Sequence, residues 1–366
     1  METQNQRKSE SEKVIADLHM HSKASDGIWT PREVVQNAKA RNLEVIALTD
    51  HDTTFGVPEA LEEAKKQNLI VIPGIEIDAK YVLPNAQVRN LELLGLNFNL
   101  ELIQPLVDRR KNDRLIFMDE YIRNLNNYLT SPNFQSENDK KQFRLVNPRT
   151  ITLNDLIVWY NQRNLDQTGR PYENPFPFLS KMTLVQYIAD NFLEDGKKKA
   201  ILSGDRATGN AFKKEYKEII KTTAETKPTF YEAIKAVKDA GGIAILAHPG
   251  LSKGYENGMI KEWELPVEEW FREREVLTPY IFIRDLKNHG LDGIEIYNYR
   301  ANDKPHAENH ELINQYFVEL AKRLELITTA GSDCHGPKGK GPLMGTFGLT
   351  SSSKNLLDFI LKPGRR

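Results

Sequence analysis

Cysteine is almost absent: Cys334 is the single one in 366 residues, which excludes an internal disulfide framework. An excess of either charge is absent too. The 50 Lys and Arg face 51 Asp and Glu, a formal net charge of −1, so bulk electrostatics give no reason to expect a nucleic-acid or membrane surface, though a local basic patch is compatible with them. No apolar run approaches the length of a membrane span. The first dozen residues, METQNQRKSESE, lack the apolar segment of a signal peptide. Residues 1–13 are expected to form a disordered tip, with the cytoplasm as default compartment. There is no internal repeat, no low-complexity tract and no Ser-His-Asp elbow. GPKGKGP, from Gly336 to Pro342, has the glycines of a phosphate-cradling loop but no following helix, and reads as a flexible loop.

What is present is ample for a core. The hydrophobic fraction is 39%, and the length suits two domains or one large α/β domain with insertions. Strand and helix alternate at the start. VIADLHMH reads as a strand, and TPREVVQNAKARN as a helix with a complete start signal: Thr30 as N-cap, Pro31 at the first helical position and Glu33 closing a capping box. LEVIALTD is a near-continuous apolar run, as in a parallel strand buried on both faces. A further helix, PEALEEAKKQN, and the strands LIVIPGIEI and RNLELLGLNF follow. The alternation resumes at TFYEAIKAVKDAGG and runs through IAILAHPG, PYIFIRDLKNHG, LDGIEIYN and ENHELINQYFVELAKRL to ELITTAGSDCHG. Repeated βα units imply a parallel sheet, open or closed into a barrel. The Asn-, Lys-, Arg- and aromatic-rich stretch between breaks the rhythm. The expected organisation is a barrel in two parts, 14–99 and 229–366, split by a mostly helical inserted subdomain, 100–228. A short second insertion covers 251–278.

The chain has eight histidines, and most metal-capable residues fall where strands finish. His19 and His21 end the first strand, in DLHMHSKASDG, with Asp26 five residues after the second histidine. Asp50, His51 and Asp52 end the second, in LTDHD. Glu76 follows in PGIEI, His248 in ILAHPG, Glu295 in GIEIYN, and Asp333 and His335 in GSDCHG. In parallel α/β folds these strand ends meet at one face. A single histidine near a strand end is ordinarily a hydrogen-bonded structural residue, and a lone H-x-H is ambiguous. Six such coincidences in one βα array point to a shared site. Histidine with carboxylate suits Zn, Mn or Fe, whereas a pure oxygen set suits Mg or Ca. Cys334 lies between two of these residues, and alternation directs it into the core.

H-x-H with its following Asp, T-D-H-D, P-G-x-E, A-H-P-G and G-S-D-x-H, in this order, resemble the polymerase and histidinol phosphatase (PHP) family. The motifs span Asp17 to Gly336. The resemblance implies a distorted (β/α)7 barrel holding two to three divalent metal ions, Mn, Zn or Fe with Mg as the alternative. By the same resemblance, His19 and His21 ligate one metal with Glu76 and Asp333 completing or bridging it. Asp26, His51 and His335 hold another, and Glu76 and His248 the third. Glu92, in NLELLGL, takes the place where the family's matching strand usually carries a histidine ligand. Ligation of the third metal is the favoured reading, a carboxylate orienting a ligand histidine or an outward surface residue being the others. The insertion resembles that of nucleotide phosphoesterases and 5′-to-3′ exoribonucleases. The implied activity is phosphate ester hydrolysis, of nucleotides or RNA 5′ ends, by metal-activated hydroxide attack on phosphorus. The substrate is then a small phosphorylated molecule or short nucleic acid, with no membrane involved. Alternatives are a small-molecule phosphatase of the histidinol phosphate type and a catalytically idle metal-binding module. For the substrate phosphate, Arg114 in DRRKNDR matches the arginine-bearing helix of that subgroup, with Arg109 and Arg110 as alternatives. The family's Arg-Pro-His run is missing where SKMTLVQYIADNF stands, and Arg170 or Lys181 are the candidates to replace it.

Overall fold

The computed structural model describes residues 13–82, 88–166, 168–172, 178–203, 205–221, 227–251, 261–274, 277–301, 304–337 and 343–362. The expected disordered tip, most of the GPKGKGP loop and part of the second insertion lie outside the described residues. In chain order the elements are β1 (Val14–Asp17), α1 (Pro31–Ala40), β2 (Val45–Leu48), α2 (Val57–Gln67), β3 (Ile70–Val82), β4 (Val88–Leu96) and α3 (Leu100–Leu129). Then come α4 (Phe134–Asn138), α5 (Leu153–Arg163), α6 (Lys181–Phe192), α7 (Asp195–Leu202) and α8 (Arg206–Glu215). The last are α9 (Phe230–Asp239), β5 (Ile243–Leu246), α10 (Pro279–Asn288), β6 (Gly293–Ile296), α11 (Lys304–Glu308), α12 (His310–Arg323), β7 (Ile327–Ala330), β8 (Leu349–Thr350) and α13 (Lys354–Leu361). None of the described helices is long and apolar enough to cross a membrane.

The chain divides into two compact units. One takes the residues up to Ser22, Asp26–Gln104 and those from Pro228 on; the other takes Lys23–Ser25 and Pro105–Lys227. The second unit is helical and has its own core, including Met118, Leu125, Phe143, Leu156, Leu184 and Phe212. Two of its helices start on capping boxes, Thr152 with Asp155 for α5 and Ser180 with Thr183 for α6.

In the first unit seven strands run in chain order around a nearly closed barrel, and β8 adds antiparallel to β1. Closure comes where the chain continues beyond β1. The Leu18 N–H donates to the Ala330 carbonyl at 3.3 Å, and the His21 N–H to the Cys334 carbonyl at 3.0 Å. The pairs β1–β2, β2–β3, β5–β6 and β6–β7 are parallel. β4 differs from the all-parallel expectation: it is antiparallel to both β3 and β5. Five residues separate β3 from β4, too few for the crossover that a parallel pair needs. That reversed strand distorts the (β/α)7 barrel. The capping box of Thr30 and Glu33 opens α1 as the sequence indicated.

Alternation fills the barrel. Ala16, Val45, Ala47, Ile72, Leu94, Leu96, Ile243 and Ile245 form one buried cluster, every second residue along its strand. On β3 the same face continues from Ile72 through Gly74 to Glu76. On β4, read backwards, it continues from Leu96 and Leu94 to Glu92. The register Gly74↔Leu96, Glu76↔Leu94 and Asp78↔Glu92 aligns the two series, so the apolar interior gives way to carboxylates at one end. Met20 and Cys334 pack with α1 and α2 residues in the layer outside the strands.

Asp17 is fully buried and fastens this closure. Its Oδ1 accepts from the Ser332 N–H at 2.8 Å and its Oδ2 from the Gly345 N–H at 3.0 Å. An Asn at this position keeps the shape but turns one acceptor into a donor facing a buried N–H. Asp17→Asn is therefore expected to lower stability by about 1–3 kcal/mol, read from the urea unfolding midpoint. An unchanged midpoint would remove Asp17 from the closure.

Candidate metal centre

Backbone pairing beyond the regular strands gathers the site. Past β1, the Met20 N–H donates to Thr49 Oγ1 at 3.1 Å, and the Thr49 N–H to the Met20 carbonyl at 2.8 Å. Asp50 accepts from both the N–H and the hydroxyl of Ser22, each at 2.7 Å, which fixes the chain just after His21. His51 and Glu76 form an isolated parallel bridge, and the Asp52 N–H donates to the Glu76 carbonyl at 2.7 Å. Three non-glycine residues here have left-handed backbones, Asp52 (φ 54°), His248 (φ 23°) and Asp333 (φ 53°), the kind of strain that collects at functional sites. Gly331, just past β7, sits against His19, just past β1: a Cβ there would meet the His19 Cβ at 2.4 Å and the His19 nitrogen at 2.5 Å. Only glycine lets the two segments come this close.

Glu76 stands at the middle. Its Oε2 lies 3.2 Å from each of three imidazole nitrogens: His19 Nε2, His21 Nε2 and His51 Nδ1. Its Oε1 lies 3.0 Å from His248 Nε2. Four groups of donors result, each with its ligand atoms within 4.8 Å of one another: His19, His21, Glu76 and Asp333; His21, Asp26, His51 and His335; His51, Glu76 and Glu92; and His19, His248 and Glu295. In the second group Asp26 Oδ1 is 3.1 Å from His335 Nε2 and 3.9 Å from both His21 Nδ1 and His51 Nε2. His21 thus turns one ring nitrogen to each of the first two groups. Glu92 Oε2 is 3.4 Å from His248 Nε2.

This donor set fits divalent metal. Glu76 Oε2 and His21 Nδ1 are buried without a hydrogen-bond partner, although nitrogens crowd around the first of them. The Nε2 atoms of His19 and His21 face each other at 3.2 Å. Carboxylate oxygens and imidazole nitrogens that crowd around shared points, instead of pairing off separately, are what a cation satisfies once the imidazole protons leave. Surrounding groups orient the ligand atoms. The Asp333 carbonyl lies 2.9 Å from His335 Nδ1, leaving Nε2 for the cluster. The Tyr297 hydroxyl donates to Asp333 Oδ2 at 3.2 Å, leaving Oδ1 facing His21.

The electrostatics agree. Burial alone would push the imidazoles toward neutrality, but the carboxylates outweigh it. Asp333 and Glu76 bring His21 up to about 10. Glu76 and Glu92 bring His248 up to about 9. His19 and His51 also rise, through Glu295, Glu76 and Asp333 for the first and Glu76 and Asp26 for the second. Burial opposes ionisation of Glu76, Asp26 and Asp333 as well, yet the surrounding imidazoles hold all three below the usual carboxylate range. Glu92 goes the other way, to about 7, through desolvation and its neighbour Glu76.

All nine sequence-derived metal candidates, His19, His21, Asp26, His51, Glu76, Glu92, His248, Asp333 and His335, come together here. The three phosphate-binding candidates lie in the second unit. The Arg114 guanidinium stacks 3.9 Å from the Phe178 ring centre. Arg170 pairs with Asp166 and Thr168 in an exposed turn. The Lys181 ammonium lies 5.0 Å from the Tyr121 ring. Arg110 is buried and paired with Asp113 at 2.8 Å. The sequence reading missed Tyr297 and the closure role of Asp17. The apolar strand around Tyr297 resembles any core strand, so no local signal marked it.

A nearly closed α/β barrel with histidine and carboxylate groups gathered at one end is the framework of a metal-dependent phosphoesterase. The chain belongs to the PHP domain family, whose domain matches residues 17–230. Among curated proteins it is 28% identical to a 5′-3′ exoribonuclease of Haemophilus influenzae, covering 88% of this chain and 90% of that one. It is 25% identical to a phosphoribosyl 1,2-cyclic phosphate 1,2-diphosphodiesterase of Eggerthella lenta, covering 91% and 98%. A shorter match, 43% over 65 residues, covers 18% of this chain and 23% of a 3′,5′-nucleoside bisphosphate phosphatase of Chromobacterium violaceum. Among solved structures, a Bifidobacterium adolescentis protein described as a metal-dependent phosphoesterase shares the fold at a TM-score of 0.57 and 21% identity, covering 93% of this chain and 94% of that one.

The raised imidazoles set a pH dependence. At neutral pH His21 and His248 carry protons that must leave before either can ligate. Metal binding is expected to release protons, and apparent affinity to rise as pH increases from about 6 to 9. Calorimetric titration of Zn in buffers of different ionisation enthalpy measures this. Binding with no proton release would contradict it.

Proposed function

We propose that the protein hydrolyses phosphate esters carried on ribose, namely nucleotides or short RNA 5′ ends, using two to three divalent ions held by the Glu76-centred cluster. The observation that carries this reading is the convergence of four imidazoles on one carboxylate. Bound divalent ions supply Lewis acidity and lower the pKa of water toward about 7. The first ion is assigned to His19, His21, Glu76 and Asp333, the second to Asp26, His51 and His335, and the third to Glu76, His248 and Glu92. The substrate class draws on relatives named as an exoribonuclease, a phosphoribosyl cyclic phosphate diphosphodiesterase and a nucleoside bisphosphate phosphatase. Arg114 is the favoured phosphate-binding residue, because a guanidinium presents a planar fork to phosphate oxygens and Phe178 supports its face. We place the protein in the cytoplasm, with a small phosphorylated substrate or short nucleic acid as its partner.

The test is a panel of phosphomonoesters, nucleotides and 5′-phosphorylated oligoribonucleotides assayed with Mn or Zn. Chelation, or His19→Ala, is expected to abolish hydrolysis while the fold stays intact. Activity surviving complete metal removal would reject the reading. Arg114→Ala is expected to lower kcat/KM by roughly 10- to 100-fold, the worth of a charge-assisted contact. Unchanged kinetics would return Arg114 to a structural role on Phe178.

Glu92 gives the third position a carboxylate instead of imidazole. Harder oxygen shifts the preference toward Mn or Mg and away from tight Zn binding. Glu92→His is expected to reverse that preference, and Glu92→Ala to lower the number of bound ions, read by elemental analysis. Wild-type metal content and rate in Glu92→Ala would remove Glu92 from the site.

A further inference from the structure

Glu295, on β6, is fully buried beside the cluster, and both of its oxygens are engaged. Oε1 lies 2.9 Å from His19 Nδ1. Oε2 accepts from the backbone N–H of His248 at 2.8 Å. The opposite side of the His19 ring faces the donors, with Nε2 3.2 Å from Glu76 Oε2 and 3.6 Å from Asp333 Oδ1. His248 is the residue with the left-handed backbone at φ 23°, and its Nε2 faces Glu76 and Glu92.

We propose that Glu295 is a positioning residue that sets two ligands at once: it fixes the His19 tautomer and anchors the strained backbone of His248, so that both Nε2 atoms face the metals. This rests on the metal-dependent reading above. A neutral imidazole has one N–H, and a carboxylate can only accept. Glu295 therefore keeps the proton on His19 Nδ1 and leaves the Nε2 lone pair for metal. The same carboxylate holds a ligand residue whose backbone conformation is costly without outside support. Glu295 could join His19 and His248 as a ligand by distance alone. However, an ion held between Oε1 and His19 Nδ1 would displace the hydrogen bond between them and turn the cluster-facing nitrogen of His19 into the protonated one.

Glu295→Gln separates these roles with almost no change of shape. The His248 backbone N–H can only donate. If the new amide oxygen accepts from it, the amide NH2 faces His19 Nδ1 and selects the tautomer protonated at Nε2, which cannot ligate. If the oxygen turns to His19 instead, the NH2 opposes the His248 N–H. Either arrangement spoils one ligand, as an amide in place of a histidine-orienting carboxylate does in serine proteases.

The experiment uses the full chain with ¹⁵N-labelled histidine, loaded with Zn. Long-range ¹H–¹⁵N spectra report which ring nitrogen carries the proton, and His19→Asn assigns the His19 signals. The expected result is His19 protonated at Nδ1 and bound to Zn through Nε2. Chelator competition is expected to show Zn affinity about 10- to 100-fold weaker in Glu295→Gln. Glu262→Gln changes another buried carboxylate, one that accepts from the Tyr280 N–H and the Tyr316 hydroxyl, and is expected to leave Zn affinity unchanged. His19 bound through Nδ1, or a Glu295→Gln protein with wild-type affinity and His19 signals, would overturn the proposal while leaving the metal-dependent reading standing. Equal losses in the two Gln variants would reduce Glu295 to general support of the fold and overturn it too. A wild-type protein that binds no Zn, Mn or Mg would reject both. Should Glu295→Gln fail to fold, the wild-type spectrum still decides the tautomer.

Discussion

One carboxylate organises this molecule. Glu76 receives three imidazoles at one oxygen and a fourth at the other, inside a barrel whose remaining interior is apolar. An ionised carboxylate is costly to bury unless paired. Here its compensation comes from imidazoles on three separate chain segments. The barrel closure, the His51–Glu76 bridge and the left-handed turn at His248 bring those segments to the same carboxylate. The fold and the site thus share one constraint.

The reversed strand is central to that arrangement. In an all-parallel barrel the first half of every strand would lie at the end remote from the site. Because β4 runs antiparallel to β3, Glu92, ahead of Leu94 and Leu96 in the chain, lies toward the end where β3 presents Glu76. The face of β4 that carries Leu94 and Leu96 deeper in the barrel carries Glu92 at the rim. A fifth strand then returns antiparallel to β4 and delivers His248. Between β4 and β5 the chain builds a separate helical unit with its own core, and the two strands still pair in register.

Much of this was legible in the sequence. Histidines and carboxylates ending apolar strands stand out because burial makes them costly, and six such interruptions are hard to accumulate without a shared purpose. His19, His21, His51, Glu76, His248, Asp333 and His335 were readable for that reason. So was Glu92, which breaks the apolar face of NLELLGL. The direction of β4 was implicit in the short link before it, but a rhythm of βα units masks a single reversed strand. Partnerships were less readable. Glu295 was visible as a strand-end carboxylate, yet its contact with His19 spans 276 positions. Tyr297 had no signal at all. The basic helix showed a cluster of arginines without revealing that Arg110 is buried against Asp113 while Arg114 stacks on Phe178. Periodicity gives a face and puts Asp113 within reach of Arg110 on the same helix, whereas the ring that meets Arg114 comes from the segment before α6.

Anomalous X-ray scattering from crystals of the Mn-loaded protein tests the Glu76-centred cluster most directly. Two to three peaks are expected, each within bonding distance of its oxygen and nitrogen ligands, with each Glu76 oxygen bound to metal. Peaks confined to surface carboxylates, or a loaded cluster in which Glu76 touches no ion, would contradict it.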